Sequence, residues 1–207
     1  QKVAREKEKY VLLGISQMWE ALIFSTAADI WGDIPYSQAA NSEFAQPKFD
    51  SQKEVHDSIL KLIDSAIINL DSGQVYTLPS DFDFTFNADI ERWKRAANTL
   101  KSRIYLNWAE VDGENYTKAL EAAEQGIMDM SGSGDWKALH GAAISERNVW
   151  FQFFLSNPDY MGAGKLLVDM LNQDGDGRLG VYFLANGTSN IIGVSPGDSI
   201  SNASMLN

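Results

Sequence analysis

Three stretches of the chain place apolar residues at three- and four-residue steps, which is the spacing of one face of an α-helix. Polar residues fill the positions between them, so each stretch predicts an amphipathic helix with one buried stripe. The stripes consist of Val55, Ile59, Leu62, Ile63, Ala66 and Leu70; of Trp93, Ala97, Leu100, Ile104 and Trp108; and of Tyr116, Ala119, Leu120, Ala123, Ile127 and Met130.

Local signals mark the ends of these helices. Ser51 and Glu54 form a capping-box pattern at the start of the first helix, and Gly73 ends it. The second helix spans about residues 90–111 and closes at Asp112-Gly113, immediately before the third. So short a connection forces the second and third helices to run antiparallel, as in tetratricopeptide-type repeats. We therefore predict a mostly α fold of tetratricopeptide-like antiparallel helix pairs with long irregular loops.

An earlier segment, residues 10–30, is strongly apolar. Gln17, Glu20 and Asp29 interrupt it, so a buried helix is favoured over a membrane span.

The turn WGDIPYS at residues 31–37 follows this helix. Gly32 and Pro35 forbid continuation of the helix, and Asp33 can accept hydrogen bonds from free backbone N–H groups in the bend. We predict that the turn is structural, with Trp31 largely buried against the helices that begin near residues 52 and 90.

The last third of the chain differs in character. Glycines and small polar residues predict loops over residues 131–150, and residues 164–171 predict a short helix. After residue 185 the composition shifts to Gly, Ser and Asn, and too few large apolar residues remain for this tail to fold unless it packs on further sequence. We predict a single domain over residues 1–207, helical over 1–130 and loop-rich with a short helix over 131–207.

Several motifs in register resemble one family. The turn at residues 31–37 is similar to a "wGdiPys" pattern, and residues 92–103 are similar to a "kW.k.AN.L..R" helix. Between them, residues 46–55 and 63–66 resemble the family's proline-aromatic-Asp helix entry and its "ldeA" motif. Residues 176–183 resemble "DPRl..yf", with Gly177 in place of the proline. Over roughly residues 10–197 the chain thus resembles the SusD/RagB-like outer-membrane lipoproteins of Gram-negative bacteria that live on complex glycans.

The resemblance implies a function. It implies a non-enzymatic, surface-exposed lipoprotein of the outer membrane that binds oligosaccharide or polysaccharide and passes it to a SusC-like TonB-dependent transporter. Family members are longer and carry an N-terminal lipid anchor, so we expect this chain to be an internal piece. Two alternatives stay open: a helical-repeat module that binds peptide or protein, and a glycan-processing enzyme.

The composition of the chain limits the kinds of partner and chemistry that can be expected. The 207 residues carry a formal net charge of -11, which repels phosphate backbones, so we expect no nucleic-acid binding. Cysteine is absent, which leaves no disulfide, thiolate metal site or cysteine nucleophile.

Aromatic side chains are the candidates for sugar binding, because the C–H face of a sugar ring stacks on them. Trp136, in a Gly-rich stretch, and Tyr76, after Gly73, are predicted to be exposed ligand contacts. Trp31 and Tyr36 are further candidates, although packing is favoured over ligand contact for both. Three other tryptophans sit on helical stripes and are predicted to be core: Trp19, Trp93 and Trp108.

Metal and catalytic candidates are weaker. Asn172, Asp174 and Asp176 begin like a calcium loop, but the closing position is Phe183, so an ordinary turn is favoured and no cofactor is expected. A structural role is favoured over catalysis for Asp81 and Asp83. The two histidines, His56 and His140, are interpreted as ordinary surface or loop residues.

Overall fold

A computed structural model describes residues 1–72, 83, 85–129, 131–132, 134–157, 160–185, 187, 189–200 and 203–206. The chain divides into two compact units, Gln1–Leu139 and His140–Asn207. The single domain proposed from the sequence stays a prediction.

The described residues of the first unit form five helices. They are α1 (Lys2–Glu6), α2 (Tyr10–Trp31), α3 (Gln52–Asp71), α4 (Ile90–Asn107) and α5 (Glu114–Glu124). The capping box at the start of α3 is present, since Glu54 N donates to Ser51 Oγ and Ser51 N donates to the Glu54 carboxylate. This local network satisfies two backbone donors that a helix start otherwise leaves free.

Helix α3 runs antiparallel to α2 and to α4. The start of α3 bonds the end of α2 through Gln52, whose side chain donates to the Ala28 carbonyl at 2.9 Å. The two far ends also meet, because a Cβ on Gly14 would lie 2.8 Å from Leu70 Cγ. Lys94 near the start of α4 pairs with Asp71 at the end of α3. The predicted mostly α fold of antiparallel helix pairs is confirmed.

One hydrophobic core joins α2, α3 and α4. The stripe predicted for α3 is buried except for the half-buried Leu62, and the stripe predicted for α4 is buried as far as Ile104. In α5 the prediction is wrong in part: Ala119 and Ala122 are buried, whereas Tyr116 and Leu120 are exposed. The small residues lie against α4 because they allow close approach, and the larger ones point outward.

Among the described residues, α2 is the one helix long and apolar enough to cross a membrane by length and composition. One of its faces packs in the core, where buried Gln17 accepts a hydrogen bond from Asn69 at 2.7 Å. The polar residues that interrupt this segment predicted a buried helix, and the structure confirms this for one face of α2. A second apolar row lies on the other side of α2 and is exposed: Leu12, Trp19, Ile23 and Ile30.

The second unit contains α6 (Val149–Ser156), α7 (Lys165–Gln173), α8 (Leu179–Tyr182), β1 (Phe183–Leu184) and β2 (Met205–Leu206). The two strands pair antiparallel, with Phe183 opposite Leu206. Its small core consists of Ala163, Val168, Leu171 and Phe183. The helix predicted at residues 164–171 is α7, while α6 was not predicted.

Described residues of the tail after residue 185 form more backbone hydrogen bonds than its composition suggested. Val194 donates to the Ala163 carbonyl at 2.9 Å, and Ser204 donates to the Ile192 carbonyl at 2.8 Å. Backbone hydrogen bonds, which do not require large side chains, therefore attach parts of the tail to the body of this unit.

Candidate functional site

The turn at residues 31–37 is held by its backbone. Gly32 has φ +75°, a conformation that favours glycine. Ile34 and Asp50 exchange backbone hydrogen bonds of 3.1 and 2.9 Å. Asp33 accepts a 3.0 Å hydrogen bond from Gln52 N at the start of α3, and the sequence predicted that Asp33 would accept from a free backbone N–H group. The turn therefore joins the end of α2 to the start of α3, in agreement with a structural role.

Asp50 is the side chain that fastens this turn. It is 5% exposed and pairs with Lys48 Nζ at 2.8 Å. Its carboxylate also accepts bonds from Ser37 N at 2.6 Å, Ser37 Oγ at 2.9 Å and Tyr36 N at 3.2 Å. The Lys48 bond first, and the Ser37 bonds next, hold the pKa of Asp50 well below its usual range.

The burial predicted for Trp31 is wrong. Its side chain is 71% exposed, and Ile34, at 8%, is the apolar residue that the turn buries. Gln52, the first residue of α3, bonds the Ala28 carbonyl. Trp31 consequently lies almost one helical turn beyond the start of α3, where that helix cannot cover it.

Tyr36 packs against α2. Its ring lies 4.9 Å from the Phe24 ring, edge to face, and its hydroxyl donates to Glu20 Oε1 at 2.9 Å. Burial, followed by the bond to Glu20, raises the pKa of Tyr36. Packing was favoured for this residue; whether it also contacts a ligand is a separate prediction.

A cluster of aromatic rings surrounds Trp93, which is fully buried as predicted. Its centroid lies 5.2 Å from that of Phe86, and its Nε1 donates to Asp83 Oδ2 at 2.6 Å. Asp83 also accepts from the backbone N of Thr85, Phe86 and Ala88. Four donors on one carboxylate give Asp83 the structural role that was favoured for it.

Trp136 joins this cluster instead of standing free. Its ring lies 5.6 Å from Trp93 and 5.7 Å from Trp19, edge to face in both cases, and it is half-buried. The exposed position predicted from its Gly-rich neighbours is therefore wrong, because those glycines describe the backbone and not what the ring contacts. The core position predicted for Trp19 is also wrong, since that side chain is 39% exposed. Tyr76 and Asp81 lie outside the described residues.

His56 was interpreted as a surface residue, and this is wrong: it is 2% exposed. Trp108 Nε1 donates to His56 Nδ1 at 2.5 Å. An indole N–H can only donate, so in the neutral ring the proton resides on Nε2. That nitrogen lies 3.2 Å from Asp29 Oδ1, within ion-pair distance but not aligned for a hydrogen bond. Asn107 Nδ2 donates to Asp29 at 3.0 Å.

The core position predicted for Trp108 is wrong. This tryptophan is half-buried and lines a groove of about 510 Å³ between α3 and the segment where α4 leads into α5. We call this the α3–α4 groove. Its lining combines apolar, aromatic and charged side chains: Lys53, His56, Asp57, Leu60, Lys61, Asp64, Ile104, Tyr105, Trp108, Val111, Asp112, Asn115 and Lys118. The apolar stripes in the sequence could not reveal this groove, because its two walls come from helices that are separate in the sequence.

A second depression of about 320 Å³ adjoins the groove. It shares Asp57 and Lys61 with the groove and extends to Tyr36, Ser37 and Asp50 of the turn. The structured turn and the groove therefore flank the same stretch of α3.

The calcium candidates lie in the second unit. The Arg178 guanidinium contacts both carboxylate oxygens of Asp176, at 2.5 to 3.0 Å, and lowers the pKa of Asp176 to about 2. Asp174 is the residue directly after α7. Within the described residues, no group of three or more His, Asp or Glu side chains could hold a metal ion. The absence of a cofactor stays a prediction.

Antiparallel helix pairs, with a mixed aromatic and polar groove between two of them, define the chain as a helical-repeat type of protein. A SusD-like family described as "Starch-binding associating with outer membrane" matches residues 1–205. The chain belongs to this SusD-like family, as the motifs predicted, and members of the family are binding proteins associated with the outer membrane.

Solved structures support the assignment. A SusD-like protein from Bacteroides thetaiotaomicron is 25% identical, with a TM-score of 0.77 over 99% of this chain and 44% of its own. A chitin-binding SusD homolog from Flavobacterium johnsoniae is 22% identical, with a TM-score of 0.83 over 99% of this chain and 45% of its own. A chitin-binding protein is 25% identical, with a TM-score of 0.76 over 94% of this chain and 45% of its own.

The chain thus spans less than half the length of each of these three structures. No match to it is found among curated proteins.

Proposed function

We propose that the protein is a glycan-binding lipoprotein, displayed at the outer face of the outer membrane, which captures oligosaccharide and passes it to a SusC-like TonB-dependent transporter without cleaving it. The observation that carries the proposal is the match of residues 1–205 to a starch-binding, outer-membrane family. Two structurally similar proteins are described as chitin-binding, which supports a sugar as the ligand. An N-terminal lipid would supply the anchor.

Exposed aromatics support sugar capture. Trp31 is 71% exposed beside a turn whose backbone is held at Gly32, Ile34 and Asp50, so the backbone that carries its ring is fixed before a ligand binds. Phe49, which precedes Asp50 in the chain, is 70% exposed. Each stacked ring contributes weakly, so useful affinity would arise when a longer glycan engages several contacts. Trp31 is the most exposed of the three sequence candidates that the structure describes, which are Trp31, Tyr36 and Trp136.

The two buried carboxylates among the described residues do not suit the role of a catalytic acid. A glycosidase needs a carboxylic acid with a raised pKa opposite a second carboxylate. Asp50 and Asp83 are the buried carboxylates among the described residues, and both accept hydrogen bonds from several donors. The pKa of Asp50 is moreover lowered. Neither is free to act as a general acid.

Retention on insoluble polysaccharide tests this function. The protein should sediment with chitin or with granular starch, and soluble fragments of the same polysaccharide should release it. Trp31→Ala should weaken retention, whereas Trp150→Ala, an equally exposed tryptophan at 67% in the second unit, is the matched control. Failure to bind any polysaccharide, beside clear binding of peptides, would favour the helical-repeat module that binds peptide.

A further inference from the structure

We propose that the α3–α4 groove is a binding site for a neutral oligosaccharide, with Tyr105 and Trp108 as its aromatic wall and Asp57 and Lys61 as hydrogen-bonding partners of sugar hydroxyls. This inference rests on the proposed function and gives it a location. The groove lies on described residues of a single unit.

Size and shape fit a short glycan. The groove volume of about 510 Å³ lies within the range of pockets that hold small ligands. The adjoining depression of about 320 Å³ continues past Asp57 and Lys61 toward the turn. Two neighbouring spaces that share the polar side chains of Asp57 and Lys61 suit a chain of sugar units better than one compact molecule.

The charges favour an uncharged ligand. The lining includes three lysines and three aspartates, so the groove is balanced although the whole chain carries a net charge of -11. Lys53 already pairs with Asp57 at 2.7 Å, and Asp64 pairs with Lys101 at 2.6 Å. An anionic or cationic ligand would meet charges of its own sign in this groove. Hydroxyl groups can both donate to the carboxylates and accept from the lysines.

Trp108, one of the two residues of the aromatic wall, is held in place from behind. Trp108 Nε1 donates to buried His56, which in turn faces Asp29 from α2. The indole is therefore oriented by a network that joins three helices, and its ring does not need to be ordered when a ligand binds. Fixed aromatic faces beside polar side chains are what stacking of a sugar ring requires.

A peptide is a less suitable occupant. Extended peptides are commonly recognised by backbone pairing with the free edge of a sheet. The walls of this groove come from α3, α4, α5 and the turn between the last two, so they present side chains and no strand edge. Recognition must therefore use aromatic faces and side-chain donors and acceptors.

Calorimetry with maltohexaose and chitohexaose tests the groove. For whichever hexaose binds the unaltered protein, Tyr105→Ala should weaken affinity on the order of tenfold, as loss of a central aromatic contact does. Lys61→Ala should weaken it by a smaller factor. Tyr116→Ala is the matched control, because Tyr116 is 49% exposed and does not line the groove. Its affinity should stay within about twofold of the unaltered protein.

The outcomes separate the two proposals. If a hexaose binds and both Tyr105→Ala and Lys61→Ala leave its affinity unchanged, the groove assignment is overturned and the glycan-binding function stands. If neither hexaose nor the polysaccharides bind, both proposals fail. Lys61 is an exposed side chain, so its variant remains informative if Tyr105→Ala does not fold. Tetraalanine serves as the peptide probe in the same titrations. If the unaltered protein binds tetraalanine and no hexaose, and the two variants lose tetraalanine binding, the sugar is overturned as the ligand.

Discussion

Replacing Trp93 with alanine should remove the central residue of the helical core. The side chain is fully buried, its ring contacts those of Phe86, Trp19 and Trp136, and its N–H bonds Asp83. Burial of about 200 Å² of tryptophan at about 25 cal/mol per Å² corresponds to about 5 kcal/mol. Comparable truncations cost about 3–5 kcal/mol, so we expect the free energy of unfolding to fall by that amount.

Urea denaturation followed by circular dichroism measures this loss. Trp93→Phe keeps an aromatic ring but leaves buried Asp83 without its side-chain donor, so its loss should be smaller, about 1–3 kcal/mol. Trp31→Ala is the matched control, and because Trp31 is 71% exposed, that change should cost under about 1 kcal/mol. A loss below about 1 kcal/mol for Trp93→Ala would refute its place at the centre of the core.

Three further predictions concern the turn and the acidic loop. Lys48 and the Ser37 donors lower the pKa of Asp50 in the folded protein. The stabilisation from Asp50 is therefore complete above the unfolded-state pKa of about 4 and is lost as the pH falls below that value. Asp50→Asn should abolish this loss of stability in urea titrations at neutral and acidic pH. Gly32→Ala should cost about 1–2 kcal/mol in thermal unfolding because φ is +75°, and an unchanged melting temperature would contradict the strain. Millimolar calcium should not raise the melting temperature, since Arg178 already engages Asp176; a rise that Asp176→Asn abolishes would reveal a calcium site.

Features governed by nearby residues could be predicted from the sequence. The apolar stripe of α3 and its capping box at Ser51 and Glu54 depend on residues within a few positions, and both are present. The helix break at Gly32 is equally local, because its positive φ follows from the residue type that permits it. The family motifs also lie in short segments, which is why several loose patterns together identified the family and its fold.

Features that depend on distant contacts could not be predicted. His56 is buried where Trp108, directly after α4, donates to its Nδ1 and Asp29 of α2 lies within ion-pair distance of its Nε2. Trp31 is exposed because α3 begins level with Ala28, and no local pattern reveals that offset. The α3–α4 groove has the same origin, since its walls meet only after the helices pack. Side-chain exposure at a site is therefore a property of the packed helices and not of the local sequence.

Calorimetric titration of the protein with soluble glycans, with product analysis on the same samples, tests the central claim most directly. Maltohexaose and chitohexaose correspond to the starch of the family description and the chitin of two similar structures. The account predicts saturable binding of at least one glycan, with affinity that rises with chain length and no shorter sugars or new reducing ends in the product mixture. Sugar release would contradict it and indicate an enzyme, and binding of peptides without any glycan would contradict it equally.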